Sequence, residues 1–411
     1  MIGAGAAGTL AAIAAASAGA ETVLLERTDD GGRKILISGG GRCNILPSFV
    51  DESRFVTDSS AGTLRKIVRA WPLREQIAFF ENELGIPLAE EAESAKLFPA
   101  SNRARDVRDG LLVLAQRRGA RFRPGALVTG LARGAGGWVV DVAGATGEVA
   151  DAVIVATGGL SVPKTGSDGR GLAILERLGH TIHATYPALT PVVCDPAVHA
   201  GLAGVSQAVT ISARSAARAA TSHGGFLFTH RGYSGPSVLD VSHVLVRARQ
   251  DGKPAHLRVC WSGRDAREWE AALQPDGSRT VGGALRGHLP ERLAAVLLEA
   301  NAVDPSSPLA QLRRKERLAL TDTFVRGELP WTGDEGYKKA EVTGGGVSLA
   351  EIDPRTMESR KAPGLYLCGE VLDAFGPIGG YNFLWAWATG RAAGLGAART
   401  SGQRAHLSPA E

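Results

Sequence analysis

The sequence predicts an α/β protein in which both chain ends build one doubly wound, dinucleotide-binding domain and the middle third forms a separate β-rich module. Three observations carry this. A glycine fingerprint opens a helix at the N-terminus and is followed by a short strand ending in an acid. An apolar strand at 151–155 ends in a small-residue elbow. Near the C-terminus another strand runs through Gly-Glu into a glycine pair and a long Ala/Gly-rich helix.

The first of these reads Met1-Ile2-Gly3-Ala4-Gly5-Ala6-Ala7-Gly8, a G-x-G-x-x-G motif. Gly3 permits the strand-to-helix turn, Gly5 lets a diphosphate approach the backbone, and Gly8 lets helix and strand pack closely. The helix predicted over 8–18 aims its free N–H groups and positive dipole end at the phosphates. After Val23-Leu24-Leu25 comes Glu26, placed to accept hydrogen bonds from an adenosine ribose. The apolar start does not read as a secretory signal, because the first cation is Arg27 and glycines interrupt any apolar core. Only Met1 and Ile2 precede Gly3, against the roughly 5–6 residues of a usual strand, so a natural start several residues upstream is expected.

Length and composition bound the rest. The 411 residues allow two or three domains. A hydrophobic content of 44% with 21% charged residues is that of an ordinary soluble globular chain. No apolar run is long enough to span a bilayer, so no membrane partner is expected. A net charge of +4 is too mild to argue for nucleic acid, and none is expected as a partner. The basic clusters Arg103/Arg105/Arg108, Arg117/Arg118/Arg121/Arg123 and Arg313-Arg314-Lys315 read as solvated helix faces. Four scattered cysteines (43, 194, 260, 368) with no C-x-x-C argue against a zinc site or disulfide framework and suit a cytoplasmic protein. Oligomeric state is not legible.

In chain order, Ile37-Ser38-Gly39-Gly40-Gly41-Arg42-Cys43-Asn44 has more glycine than a turn needs. Such a loop presents N–H groups as an anion cradle or permits close approach to a flat ring; the alternative is a flexible surface loop. Helices are predicted over 61–84, broken at Pro72, and over 104–118. Short strands follow at 126–129, 138–142 and 151–155, the last leading into Ala156-Thr157-Gly158-Gly159. A buried strand ending in such an elbow brings the carboxyl edge of a doubly wound sheet to a ligand. Helix 168–178 and strand 180–186 lead to a junction at Tyr186-Pro187-Ala188-Leu189-Thr190-Pro191. Residues 192–262 then read as strands with a helix near 236–246, residues 290–320 as helical, and strands return near 340–347.

The C-terminal part contains Cys368-Gly369-Glu370-Val371-Leu372-Asp373, then Gly379-Gly380-Tyr381-Asn382 and a helix over about 382–398. This second ligand-facing helix N-terminus has no use in a nicotinamide dehydrogenase. FAD needs it, because its flavin must be held far from the adenosine site. The helix dipole favours negative charge at the flavin N1/C2=O and so stabilises reduced anionic flavin.

Together these stretches, with Phe228-Thr229-His230, Gly232, Ser234-Gly235-Pro236, Glu341-Val342-Thr343 and Gly345-Gly346-Val347, resemble the BaiN/RdsA-type, aminoacetone-oxidase-like family of FAD-dependent oxidoreductases. They occur in family order across nearly the whole chain. The resemblance implies a Rossmann-type FAD-binding domain made of both chain ends (1–188 and 345–411). Between them it implies an inserted β-barrel-like domain (189–344) with a small helical subdomain near 283–330. One departure is Ile45-Leu46-Pro47, where the family usually carries a polar Thr-Asn pair.

Cofactor contacts are expected at Gly3, Gly5, Ala6, Ala7 and Gly8, at Glu26 and Arg27, and at Arg33 and Lys34. The glycine loop contributes Ser38, Gly40, Gly41, Arg42, Cys43 and Asn44, and the central strands Val128, Ala156, Thr157, Gly158 and Gly159. The C-terminal part adds Gly369, Glu370, Asp373, Gly379, Gly380, Tyr381 and Asn382. Cys43 reads either as a flavin-side thiol or as a small buried residue. His230 reads either as a proton donor facing the flavin or as a structural histidine. No metal site is expected.

Two function classes follow. One is an FAD-dependent oxidoreductase acting on a small molecule, with NAD(P)H as a transient external reductant because no second fingerprint exists for it. The other is a non-catalytic, redox-responsive flavoprotein that uses its barrel domain on RNA or a protein partner.

Overall fold

The computed structural model describes residues 1–405. It divides into two compact units, Met1–Thr185 with the chain from Val342 onward, and Tyr186–Glu341. In the first unit, helix α1 (Ala6–Ser17), strand β1 (Val23–Leu25) and helix α2 (Arg33–Ile37) open the chain. Strands β2 (Leu46–Pro47), β3 (Leu88–Glu91) and β4 (Lys96–Pro99) form a small antiparallel sheet. Helix α3 (Ala104–Arg117) leads to β5 (Arg121–Arg123), and β6 (Val153–Val155), β7 (Leu365–Leu367) and helix α4 (Tyr381–Ala405) complete the set.

The core of this unit is a parallel sheet. β5 pairs with β1, and β7 pairs with β6. Ile2 bridges both Leu25 and Val155 in parallel, so it occupies the centre. Its amide donates to Ile154 O at 2.9 Å, and Ala156 N donates to Ile2 O at 2.9 Å. β6 (Val-Ile-Val) and β7 (Leu-Tyr-Leu) are buried at every residue, as strands covered on both faces must be. The carboxyl ends of β1, Ile2, β6 and β7 therefore open on one edge, where ligands bind in folds of this class.

Helix α1 is alanine-rich because α4 crosses it at very short range. A Cβ at Gly390 would lie 2.4 Å from Ala7 O, and one at Gly394 would lie 2.3 Å from Ala11 O. Every α1 residue from Ala7 to Ala16 is buried. The helix expected over 61–84 is two helices, Ala61–Arg69 and Leu73–Ala78, with a single π turn over Phe79–Glu83. The strands expected at 126–129 and 138–142 run as an antiparallel meander over Val128–Gly134, Gly137–Val142 and Glu148–Ala150. Its third strand is only Glu148-Val149-Ala150, which is too short a pattern to read from sequence.

The second unit holds a seven-stranded antiparallel sheet. Its long hairpin pairs Ser206–Ser215 with Ala219–Phe228, and helix Pro236–Gln250 supplies Val238, Val241, Val244 and Leu245 to the core. Phe226, Phe228, Tyr233 and Trp261 form that core's aromatic centre, with Phe228 stacked on Trp261 at 5.6 Å. A helical addition packs Trp269 against Phe324 at 4.8 Å. The sheet is open rather than a closed barrel. Its edges are two-residue strands, Gly327–Glu328 and Gly333–Asp334, each paired on one side only. No helix among the described residues is long and apolar enough to cross a membrane.

Candidate functional site: a dinucleotide cradle at the carboxyl edge of the parallel sheet

The fingerprint glycines divide into two kinds. A Cβ on Gly8 would meet Gly3 O at 1.9 Å, and one on Gly3 would meet Ala156 O at 2.6 Å, so these positions close the strand–helix packing. Around Gly5 nothing lies within 4 Å of where a Cβ would project. Gly5 caps α1 with no side-chain bond to its first turn, leaving the N–H groups of Ala6 and Ala7 for a ligand. A closed floor beneath an open cradle is what a diphosphate requires.

At the carboxyl end of β1, Glu26 is 7% exposed. Its Oε2 accepts from Ala4 N at 2.7 Å, and its Oε1 accepts from Thr28 N and Thr28 Oγ1, both at 2.8 Å. The carboxylate thus fixes the turn, with two donors on Oε1 and one on Oε2. Ala126 N donates to Glu26 O at 2.7 Å, which brings the start of the meander and Val128 to the same end. Arg27 is ion-paired with Asp168, and Arg33 donates to Asp30 at 2.7 Å on the surface.

Lys34 belongs to a tighter group. Its Nζ donates to Glu370 Oε2 and to Ser161 Oγ, each at 2.6 Å. Ser161 Oγ donates to Glu370 Oε1 at 2.7 Å, and Thr343 N donates to the same oxygen at 2.9 Å. Burial alone would raise the Glu370 carboxyl, but Lys34 and these hydrogen bonds hold it below its usual value. Gly159 lies directly beneath: a Cβ there would sit 2.4 Å from Thr343 Oγ1 and 2.9 Å from Glu370 Oε1. Ser161 and Thr343 are not among the residues at which the sequence predicts cofactor contact. Ser161 stands two residues past the elbow, and Thr343 lies within a stretch that carries the family resemblance, which was the available signal. Thr157 turns its hydroxyl toward Gly171, where no hydrogen-bond partner meets it.

In the glycine loop, Ser38 Oγ donates to Ile35 O at 2.8 Å, and the space beside Gly40 is open. Arg42 lies over the Phe98 ring at 4.1 Å and pairs with Glu91 at 3.0 Å. Cys43 is fully buried in a left-handed conformation (φ 63°), and burial pushes its thiol up to about 12. Such a thiol is not a thiolate at neutral pH. Asn44 satisfies its amide with the oxygen turned to Gly380 N (3.0 Å) and the nitrogen to Leu46 O (3.2 Å). The apolar Ile45 and Leu46 are both fully buried, and Ile45 O accepts from Trp387 Nε1 at 3.1 Å.

The α4 N-terminus meets this loop. A Cβ on Gly380 would lie 2.3 Å from the Leu46 carbonyl carbon, so only glycine admits this approach. Gly369 has both backbone groups engaged by α4, with Thr389 Oγ1 accepting from its N–H at 2.9 Å and Trp385 Nε1 donating to its carbonyl at 3.1 Å. Asn382 grips Gly376 through both amide atoms at 2.9 Å. Tyr381 is buried, and its hydroxyl accepts from Asp51 N at 3.1 Å. Asp373 Oδ2 accepts from Thr57 Oγ1, Asp58 N, Ser59 N and Ser59 Oγ at 2.8–3.0 Å. It therefore ties the 57–59 segment to the strand region after β7, a tie that nothing in the sequence announces. His230 lies in the second unit, exposed in the turn between Ala219–Phe228 and Gly232–Ser234.

These residues fit FAD. Open glycine turns at Gly5 and Gly40, a carboxylate directly after β1, and a helix N-terminus with no acid in its first turn are the parts it would need. The family described as HI0933-like protein Rossmann domain matches residues 1–396. The chain is 32% identical to the ribosomal RNA dihydrouridine synthase of Escherichia coli K12, over 95% of both chains. It is also 32% identical to the 3-dehydro-bile acid delta(4,6)-reductase of Clostridium scindens, over 97% of this chain and 98% of that one. In fold it is similar to the 3-ketosteroid delta1-dehydrogenase of Sterolibacterium denitrificans, with TM-score 0.52 and 13% identity over 97% and 98% of the two chains. It is also similar to a flavocytochrome c3 fumarate reductase, with TM-score 0.50 and 18% identity over 97% and 78%. The chain belongs to the HI0933-like Rossmann family of FAD-dependent oxidoreductases.

Proposed function

We propose that the protein reduces a carbon–carbon double bond conjugated to a carbonyl in a small-molecule substrate, with NAD(P)H as transient electron donor. The observation that carries the cofactor half is the uncapped α1 N-terminus, with the open space at Gly5, together with the Glu370–Lys34–Ser161–Thr343 group and the acid-free α4 N-terminus. The substrate half is supported by the two relatives' names. One is named for dihydrouridine and the other for reduction of a 3-oxo, 4,6-unsaturated steroid acid, and both reactions concern a ring double bond conjugated to a carbonyl.

Bound FAD would supply hydride acceptance from the donor and hydride delivery to the substrate. The chain's own residues would bind and orient it. The α1 N–H groups hold the diphosphate and Glu26 accepts from the ribose. Lys34, Ser161 and Glu370 fix the middle of the cofactor, and the α4 N-terminus favours negative charge at the ring's pyrimidine end.

A nucleobase within RNA offers the same conjugated system. The surface charge favours the free small molecule. Arg108 is buried beneath Gly31 and Gly32, while Arg118, Arg121 and Arg123 pair with Glu83, Glu21 and Glu148. Each of these four is thereby partly neutralised or removed from the surface. The test is anaerobic: the protein is reduced and mixed separately with 4-androstene-3,17-dione, uridine and ribosomal RNA, and flavin reoxidation is followed by absorbance. Fast reoxidation by the steroid enone or uridine is expected. Reoxidation by RNA alone would move the substrate to nucleic acid, and none by any of the three would refute the reading.

A further inference from the structure

We infer that Lys96 is a second positive charge at the α4 N-terminus and sets the electron affinity of the bound flavin. The inference rests on the assignment of that N-terminus to the flavin. Lys96 opens β4, and its alkyl chain runs over Gly379: from where a Cβ on Gly379 would sit, Lys96 Cε is 3.8 Å and Cγ 3.9 Å away. Gly379 and Gly380 both have positive φ (123° and 89°), the backbone form that turns the chain into α4. The first turn of α4 holds no acidic side chain.

The ammonium closes no ion pair with its nearest carboxylate. Its cross-strand neighbour in the β3–β4 register is Glu91. That carboxylate is taken by Arg42 (3.0 Å) and by Ser94 Oγ (2.5 Å). Among the described residues Lys96 makes no ion pair. Lys96 acts on Glu91 only after Ser94 and Arg42, which bond that carboxylate directly, so a further negative partner would still gain from its charge. The partner the geometry offers is the charge that collects at the flavin N1–C2=O when electrons enter the ring. Helix dipole and ammonium then act on the same atoms, and the point charge is the larger of the two.

Sulfite reads this charge without turnover. Its sulfur lone pair forms a bond to flavin N5, the pair enters the ring, and the resulting negative charge settles at N1–C2=O. No other reactant is needed. Sulfite titration of the oxidised holoprotein, followed by loss of the flavin visible band, is compared in wild type, Lys96→Met and Lys96→Arg, each at measured FAD content. The dissociation constant for sulfite is expected to rise roughly ten- to a hundredfold in Lys96→Met and to stay within about threefold of wild type in Lys96→Arg. Unchanged sulfite affinity in FAD-replete Lys96→Met would overturn the inference, as would a wild-type flavin that forms no adduct. FAD loss by Lys96→Met and also by Lys96→Gln would likewise overturn it, placing Lys96 in cofactor retention instead. A wild-type protein that binds no FAD at all would instead overturn the cofactor assignment beneath it.

Discussion

Two glycines of one motif should respond oppositely to the same methyl group. Alanine at Gly8 places a Cβ 1.9 Å from Gly3 O. That oxygen cannot retreat, because Gly3 is itself held by its N–H to Leu25 O at 2.8 Å. The overlap forces backbone movement between α1 and the central strand and should cost about 3 kcal/mol or more. At Gly5 no atom lies within 4 Å of the new methyl, and φ −77°, ψ −170° is open to any residue. Alanine there narrows the unfolded ensemble, a gain of about 0.4–1 kcal/mol, and is a poorer helix cap than glycine by a similar amount. The two effects cancel to within about 1 kcal/mol, so the apoprotein should melt like wild type. FAD should feel the change, because the methyl stands where the diphosphate approaches. Displacing it by one methyl should cost about 1.4–3 kcal/mol, or roughly 10- to 150-fold in affinity. Apoprotein melting and FAD titration are measured on both variants. Equal destabilisation of the two apoproteins, or wild-type FAD affinity in Gly5→Ala, would refute the division of labour.

Other substitutions test the neighbouring contacts. Glu26→Gln should weaken FAD binding and also destabilise the apoprotein by about 1–3 kcal/mol, because an amide nitrogen is turned toward the Ala4 or Thr28 N–H; apoprotein stability identical to wild type would contradict this. Asp373→Ala should cost about 3 kcal/mol in chemical denaturation by orphaning the donors of residues 57–59, and Asp373→Asn should cost less. Equal losses would mean that the hydrogen bonds do not decide it. Glu351 pairs with His180 (2.9 Å), Thr181 N (3.0 Å) and Lys361 (2.7 Å). Burial alone would raise its carboxyl, but these partners bring it down to about 2 from 4.5. A carboxyl depressed by folding stabilises fully above about pH 4.5 and loses that contribution as pH falls through about 2, on the order of 3 kcal/mol. The melting-temperature gap between wild type and Glu351→Gln should therefore shrink from pH 5 to pH 2.5, and a constant gap would rule the linkage out.

The local features of this protein were legible because local chemistry fixes them. The G-x-G-x-x-G turn, the acid after β1 and the glycine pair before α4 each follow from what a strand–helix turn and a diphosphate demand of nearby backbone. The fully apolar runs of β6 and β7 likewise announce strands covered on both faces. Long-range partnerships were not legible, because no periodicity encodes them. Lys34 meets Glu370 across most of the chain, Asp373 reaches back to residues 57–59, and Asn44 meets Gly380 only once β2 is folded. The seven-stranded sheet was expected to be barrel-like, but whether it closes depends on pairing between two-residue edges that carry almost no pattern. Sequence determined which residues can approach a dinucleotide. Tertiary structure decided which side chains are spent on holding the turns around it, as with Glu26 and Asp373, and which, like Lys96, lie across a glycine turn from a distant strand, because only packing across distant segments sets which donors and charges become neighbours.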